Sequence, residues 1–251
     1  MAVIKVYGIV MHSANYKDND KMLTIFSPDR GSVSVLSRGC KRPKSPLLRA
    51  SEPFVTGEFL LYEKNGRYTL TSCSIDKYFY NLRLDHFKLS CGSYMLQLCN
   101  AVVQENQENK TLFNYLLKSL GVLNQNDIDS LTVINKFLLD FSIISGYKPR
   151  IKHCVNCSTR ILPENYKTID FEPFEGGFFC SNCNKIGNFQ KRKIDIQYYI
   201  ELLNMIETVS YLQTPNKKAQ KEIFDLLCNY LEIQFQQTFK ASKLLTSLIN
   251  S

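Results

Sequence analysis

Two pairs of cysteines, Cys154-Val-Asn-Cys157 and Cys180-Ser-Asn-Cys183, stand either side of the 22 residues 158–179. Two C-x-x-C knuckles joined by so short an excursion can present four soft ligands as a tetrahedron, which is the arrangement that structural zinc prefers. Four thiolates leave no open position for water or substrate. The expected chemistry is therefore a structural clip around one Zn2+ ion, held by Cys154, Cys157, Cys180 and Cys183, and not metal catalysis. His153 adjoins the first knuckle, but the four thiols already complete the ligand set.

Other uses of paired thiols fit less well. Disulfides suit secreted chains, yet residues 1–11 alternate polar and apolar positions and lack the apolar core of a secretory signal. The remaining cysteines, Cys40, Cys73, Cys91, Cys99 and Cys228, show no pairing pattern and leave an odd count. A reducing cytoplasm is the expected setting. A thioredoxin-like redox pair would sit between an apolar strand and a helix, and neither knuckle has those flanks.

Cations form the second constellation. The chain has 251 residues and a formal net charge of +8. Residues 1–81 hold 12 Lys+Arg against 7 Asp+Glu, and residues 147–193 hold 9 against 4, whereas 82–146 and 194–251 each hold 5 against 6. Four thiolates and one divalent ion would lower the excess of the cysteine segment by two charges, which leaves the N-terminal segment the more basic. From Arg38 to Arg49 the sequence carries five cations and no acid, interrupted by Gly39, Pro43 and Pro46. Gly and Pro make this a loop. A cationic loop suits a nucleic-acid backbone, because Lys and Arg neutralise phosphates and release counterions without reading base identity. The five cations are Arg38, Lys41, Arg42, Lys44 and Arg49. With no Trp, base stacking would fall to Tyr or Phe, such as Tyr7, Phe26, Phe54 or Tyr68, which at strand spacing also read as core.

The elements that must position these groups follow from periodicity. Val3–Met11, Met22–Phe26, Ser32–Ser37, Pro53–Lys64 and Arg67–Asp76 read as short strands, with turn chemistry at residues 27–31 and a tight hairpin at Asn65-Gly66. Five such strands in about 80 residues suggest a small closed barrel of the OB type. After residue 81 apolar residues recur at steps of three and four over Leu82–Val103, Leu112–Leu120, Ile128–Ile144, Ile196–Leu212 and Lys217–Leu248. Asp127 and Asp195 are placed to cap the third and fourth helices, and Gly121 and Gly146 to end helices. The expected fold is α+β and multidomain: an OB-fold barrel over 1–81, a helical domain over 82–146 and 194–251, and an inserted zinc module over 147–193. No apolar run approaches the roughly 20 residues that span a bilayer, and no membrane role is expected.

The residues also resemble a known family. Asn15-Tyr16-Lys17-Asp18-Asn19-Asp20-Lys21-Met22-Leu23-Thr24-Ile25-Phe26-Ser27 followed by Gly31 is similar to the opening stretch of the RecO family. Arg38-Gly39-Cys40-Lys41-Arg42-Pro43-Lys44-Ser45 resembles its basic loop, and Gly146-Tyr147-Lys148-Pro149 leading to the C-x-x-C pairs resembles the zinc module that many members carry. The resemblance implies a bacterial recombination mediator without catalysis. It would bind single- and double-stranded DNA, anneal strands coated with single-strand binding protein, and work with RecR to load RecA. The resemblance carries over Arg38, Lys41, Arg42, Lys44 and Arg49 as the candidate DNA contacts, and Lys5, Lys21 and Arg67 as weaker ones, each readable as a solvated strand residue. It also places the tail of single-strand binding protein on the helical domain, where Lys217, Lys218 and Lys221 beside Ile223 and Phe224 are candidates. Cys40 within the basic loop reads as an inert small residue.

A barrel with a zinc ribbon equally suits an RNA-binding protein of translation or rRNA processing, since preference for the 2′-hydroxyl is invisible in sequence. Hydrolase chemistry has little support: Asp18, Asp20 and Asp29 look like turn residues, and neither G-x-x-x-x-G-K-[ST] nor H-E-x-x-H occurs.

Overall fold

A computed structural model describes residues 2–125, 128–184, 191–208, 211 and 216–250. The chain forms two compact units, residues 1–124 and 125–251. In the first unit, β1 (Ala2–Tyr16), β2 (Asp20–Ser27), β3 (Gly31–Ser37), β4 (Thr56–Lys64) and β5 (Arg67–Lys77) close a barrel in the order β1-β2-β3-β5-β4. All pairings are antiparallel except β3 with β5, where Val35 faces Tyr68 and Leu36 faces Thr69 in parallel. That is the five-stranded Greek-key barrel expected from the strand pattern. Alternation does the sorting: Val6, Val10, Leu23, Ile25, Val33, Val35, Phe59, Leu61 and Leu70 point inward and form the core.

Helix α1 (Leu47–Ala50) follows the basic loop, and α2 (His86–Val102) and α3 (Lys110–Asn124) follow the barrel. Asp85 caps α2 by accepting from the backbone N–H groups of Phe87 and Lys88. These two helices belong to the same compact unit as the barrel, residues 1–124. Phe113 of α3 packs edge-on against Phe26, with ring centres 5.3 Å apart, and against Tyr7. The α2–α3 connection is tied to the β2–β3 turn by Ser32 N–H to Gln104 O and Asn109 N–H to Pro28 O. Gly121, expected to stop the second helical run, lies inside α3 with open space where a Cβ would stand.

The second unit begins with α4 (Ser130–Ile144), capped by Asp129. Asp127, the expected cap, lies outside the described residues. Gly146, at φ +87°, ends this helix as expected, with Gly146 N–H bonded to Ile143 O and Tyr147 N–H to Ser142 O. Next come β6 (Thr168–Glu172), β7 (Gly177–Phe179) and β8 (Arg192–Asp195), which pair in the order β7-β6-β8. Asp195 caps α5 (Ile196–Glu207), which leads to α6 (Lys217–Gln234) and α7 (Lys240–Asn250).

The long periodic run Lys217–Leu248 is thus two helices and not one. Gln236 adopts φ +51°, which interrupts the helix, and the Glu232 carboxylate accepts from Phe239 N–H and Ser242 Oγ at the start of α7. Tyr199 donates to Ile151 O and Tyr230 to Tyr147 O, fastening α5 and α6 to the chain around the cysteine segment. Phe171, Phe178, Tyr199 and Tyr230 make a chain of edge-to-face contacts beneath it.

Candidate metal centre and nucleic-acid interface

The first knuckle is the tip of a narrow hairpin. His153 bridges to Arg160, Cys154 N–H donates to Thr159 O, and Ile161 N–H donates to Lys152 O. The second knuckle turns immediately after β7, where Cys183 N–H and Asn184 N–H both donate to Cys180 O. Val155 N–H to Phe178 O holds the two segments side by side. The four sulfurs consequently lie within 4.8 Å of one another, and Cys157 Sγ is 3.6 Å from Cys180 Sγ. Ligands about 2.3 Å from a central ion would form a tetrahedron with edges of roughly 3.8 Å, so the cluster fits one metal ion.

Electrostatics favour a cation there. The Thr159 hydroxyl, then its backbone, brings the Cys157 thiol down to about 6. The Asn156 amide favours the Cys183 thiolate, but desolvation and the sulfurs of Cys157, Cys180 and Cys154 outweigh it and push that thiol up to about 12. Four thiols so close cannot all ionise unless a positive ion joins them. Cys154, Cys180 and Cys183 are buried with Phe179 in a small apolar cluster, and Cys157 is exposed.

The barrel carries the second site. Arg38, Lys41, Arg42, Lys44 and Arg49 are all exposed, and among the described residues none of the five enters an ion pair. Their loop is a series of turns: Gly39 N–H donates to Asp20 Oδ1, Lys41 N–H to Asn19 O, and Arg42 N–H to Gly39 O. These bonds tie it to the β1–β2 turn. Cys40 is fully buried beneath it, consistent with an inert residue.

Beside the loop, an open groove of about 1220 Å3 crosses the outer faces of β2, β3 and β5 between the β1–β2 and β4–β5 turns. Tyr16 and Lys17 line one end, and Tyr62, Lys64, Arg67 and Tyr68 the other, with Met22, Ser34 and Leu36 on the floor and Arg38 at the junction with the loop. Asp20 is the one acid in this lining. In barrels of this topology, that face and those two turns are where oligonucleotides bind.

Arg67 lines the groove, and Tyr68 lines it while also packing against the barrel core, whereas Lys21 is bound to Glu52 at 2.7 Å and Lys5 to Glu58 at 3.0 Å. Phe26 and Phe54 are core, and Tyr7 donates to Asp76 while packing on Phe113. Tyr16, Lys17, Tyr62 and Lys64 were not singled out from sequence. The signal was present: Tyr62, Lys64, Arg67 and Tyr68 flank Asn65-Gly66 in near-mirror order, and Lys64 pairs with Arg67 across the turn. In the second unit, Lys217 and Lys218 are exposed on α6, but Ile223 and Phe224 are turned into the core and present no apolar surface beside them.

Comparison with known proteins agrees with this architecture. Residues 1–79 match the family described as recombination protein O N terminal, and residues 83–191 match recombination protein O C terminal. A DNA repair protein RecO of Acetivibrio thermocellus is 32% identical over 254 residues, covering 97% of this chain and 100% of that protein. The chain belongs to the RecO family. Other RecO proteins are similar too: that of Alkaliphilus metalliredigens is 33% identical over 74% of each chain, and that of Bacillus subtilis 28% identical over 88% of this chain and 87% of the relative. Membership in the RecO family assigns the chain a role in DNA repair and recombination. Among the described residues no helix is long and apolar enough to cross a membrane.

Proposed function

We propose that the chain is a DNA-binding recombination mediator of the bacterial cytoplasm, acting at the nucleoid without catalysing a covalent step. It binds single- and double-stranded DNA, anneals complementary strands coated with single-strand binding protein and, with RecR, helps RecA load onto such DNA. The observation that carries this reading is the groove, where tyrosines alternate with cations that enter no ion pair among the described residues, beside a basic loop with no acid of its own. Bases of one strand stack on Tyr16, Tyr62 or Tyr68 while Lys17, Arg38, Lys64 and Arg67 meet its phosphates. Lys41, Arg42, Lys44 and Arg49 on the adjoining loop neutralise phosphates of a second strand. Two strands that repel in free solution are thereby concentrated on one cationic surface, and base pairing supplies the driving energy. In the second unit, Cys154, Cys157, Cys180 and Cys183 hold one Zn2+ as a structural clip.

Annealing of complementary oligonucleotides coated with single-strand binding protein, followed across salt, tests the proposal. The wild type accelerates annealing, the acceleration falls steeply as salt rises, and Lys41→Ala/Arg42→Ala/Lys44→Ala loses most of it. Absence of annealing at every salt, together with preference for RNA over a matched DNA strand, would establish the RNA-binding alternative instead.

A further inference from the structure

The two knuckles share the pattern C-x-N-C, with an asparagine directly before the second cysteine of each: Asn156 before Cys157 and Asn182 before Cys183. Their surroundings differ. Asn156 Nδ2 lies 3.3 Å from Cys183 Sγ, so the side chain of the first knuckle reaches a sulfur of the second, 27 residues away in sequence. Asn182 stands at the matching position and is exposed. Asn156 is exposed as well, so its side chain fills no space in the core.

We propose that Asn156 is a positioning residue for the metal: its amide donates to the Cys183 thiolate across the cluster and keeps that sulfur on the ion. The inference rests on the four-cysteine metal reading and adds a residue outside the ligand set. Four thiolates around a divalent cation leave the centre with a net negative charge, and an N–H donor aimed at one sulfur spreads that charge. Loss of metal begins when one thiolate leaves the ion and takes a proton. A sulfur already accepting a hydrogen bond is less basic and makes that step more slowly. The bond also spans the two knuckles, so it opposes their separation directly. Thr159 plays the local counterpart, with its hydroxyl 3.3 Å from Cys157 Sγ, but within the same hairpin and therefore without that bracing effect. Partners of this outer kind commonly change metal affinity by roughly 10- to 100-fold.

Asn182 supplies an internal control. The full-length chain, Asn156→Ala, Asn156→Asp and Asn182→Ala are loaded with Zn2+, and transfer of the metal to a chromophoric chelator is timed. Each is also loaded with Co2+, whose thiolate charge-transfer band reports the energy of the sulfur electrons. Asn156→Ala is expected to release zinc about tenfold faster than wild type. Asn156→Asp, which keeps the shape but replaces the donor by a carboxylate, is expected to be faster still, and Asn182→Ala to match wild type. Removing the donor raises the sulfur electrons in energy, so the cobalt band of Asn156→Ala moves to longer wavelength. Equal release from the two alanine variants, or an unmoved cobalt band, would overturn the role of Asn156. A wild-type chain that binds no zinc and gives no tetrahedral thiolate cobalt spectrum would instead remove the metal reading itself.

Discussion

Gly31 shows how narrowly one backbone position can be specified. It opens β3 at φ +66°, and a Cβ built there would stand 2.0 Å from Gln104 O and 2.5 Å from Gln107 O, both backbone atoms of the α2–α3 connection. Gly66 has nearly the same φ, +72°, with nothing within 4 Å of its Cβ position. The left-handed conformation costs a side chain about 1–2 kcal/mol in either place. Only at Gly31 must the connection also be displaced, which breaks the bond from Ser32 N–H to Gln104 O. Gly31→Ala is therefore expected to lower the urea midpoint of unfolding well beyond the effect of Gly66→Ala, with the difference reporting the docking of α2–α3 on the barrel. Equal losses would mean that this docking contributes little. The sequence marked Gly31 as a turn residue and Asn65-Gly66 as a hairpin, because turn chemistry is local. It could not distinguish the two, since what crowds Gly31 lies more than 70 residues further along the chain.

At the scale of elements the same division holds. The barrel strands were legible because alternation is imposed by the pleat itself, although β1 runs on to Tyr16, beyond the expected end at Met11, and β6, β7 and β8 were not read at all; the cap at Asp195 and the helix stop at Gly146 followed from local hydrogen bonding. What α2 and α3 pack against was not legible. A stripe of apolar residues announces a helix but not its partner, and Phe113 could equally have faced another helix instead of Phe26 and Tyr7. The break between α6 and α7 was hidden because the periodicity resumes in register after Gln236. The cysteine cluster was the reverse case, read in full from spacing, because a metal demands a ligand set and tolerates little variation. It joins a hairpin and the turn after β7, neither of which has a large core: Cys154, Cys180 and Cys183 themselves supply most of the apolar cluster there, with Phe179. Removing the ion should leave repelling or protonated thiols where that cluster stood. Chelation of the metal, or Cys154→Ser, is expected to cost several kcal/mol of the second unit's stability and to lower its melting temperature. Proteolysis should then begin between residues 150 and 184. A chelated chain that melts unchanged would show that the clip is dispensable.

The whole molecule poses an electrostatic question that its net charge of +8 leaves open, namely which cations touch DNA. Charge accounting along the sequence selected the loop from Arg38 to Arg49, and the barrel adds the groove beside it. Four cations of the groove, Lys17, Arg38, Lys64 and Arg67, come from three separate stretches of chain and converge only because β5 lies between β3 and β4 in the closed barrel. Folding also subtracts, since Lys5 and Lys21 are committed to Glu58 and Glu52. The salt dependence of binding counts the contacts that remain. For a single strand, the slope of log K against log salt changes by about 0.7 for each phosphate neutralised. Lys64→Ala/Arg67→Ala is therefore expected to flatten the slope for a single-stranded oligonucleotide by about 1.4, and Lys5→Ala/Lys21→Ala to leave it unchanged. Tyr68→Phe keeps a stacking face and should bind as wild type, while Tyr62→Ala/Tyr68→Ala weakens binding with no change of slope, because stacking releases no counterions. Replacing Lys41, Arg42 and Lys44 should affect duplex binding and annealing more than the affinity for one strand, because the proposed path of the first strand runs in the groove. A slope indifferent to Lys64 and Arg67, but sensitive to the loop, would move the single-strand path out of the groove and onto the loop.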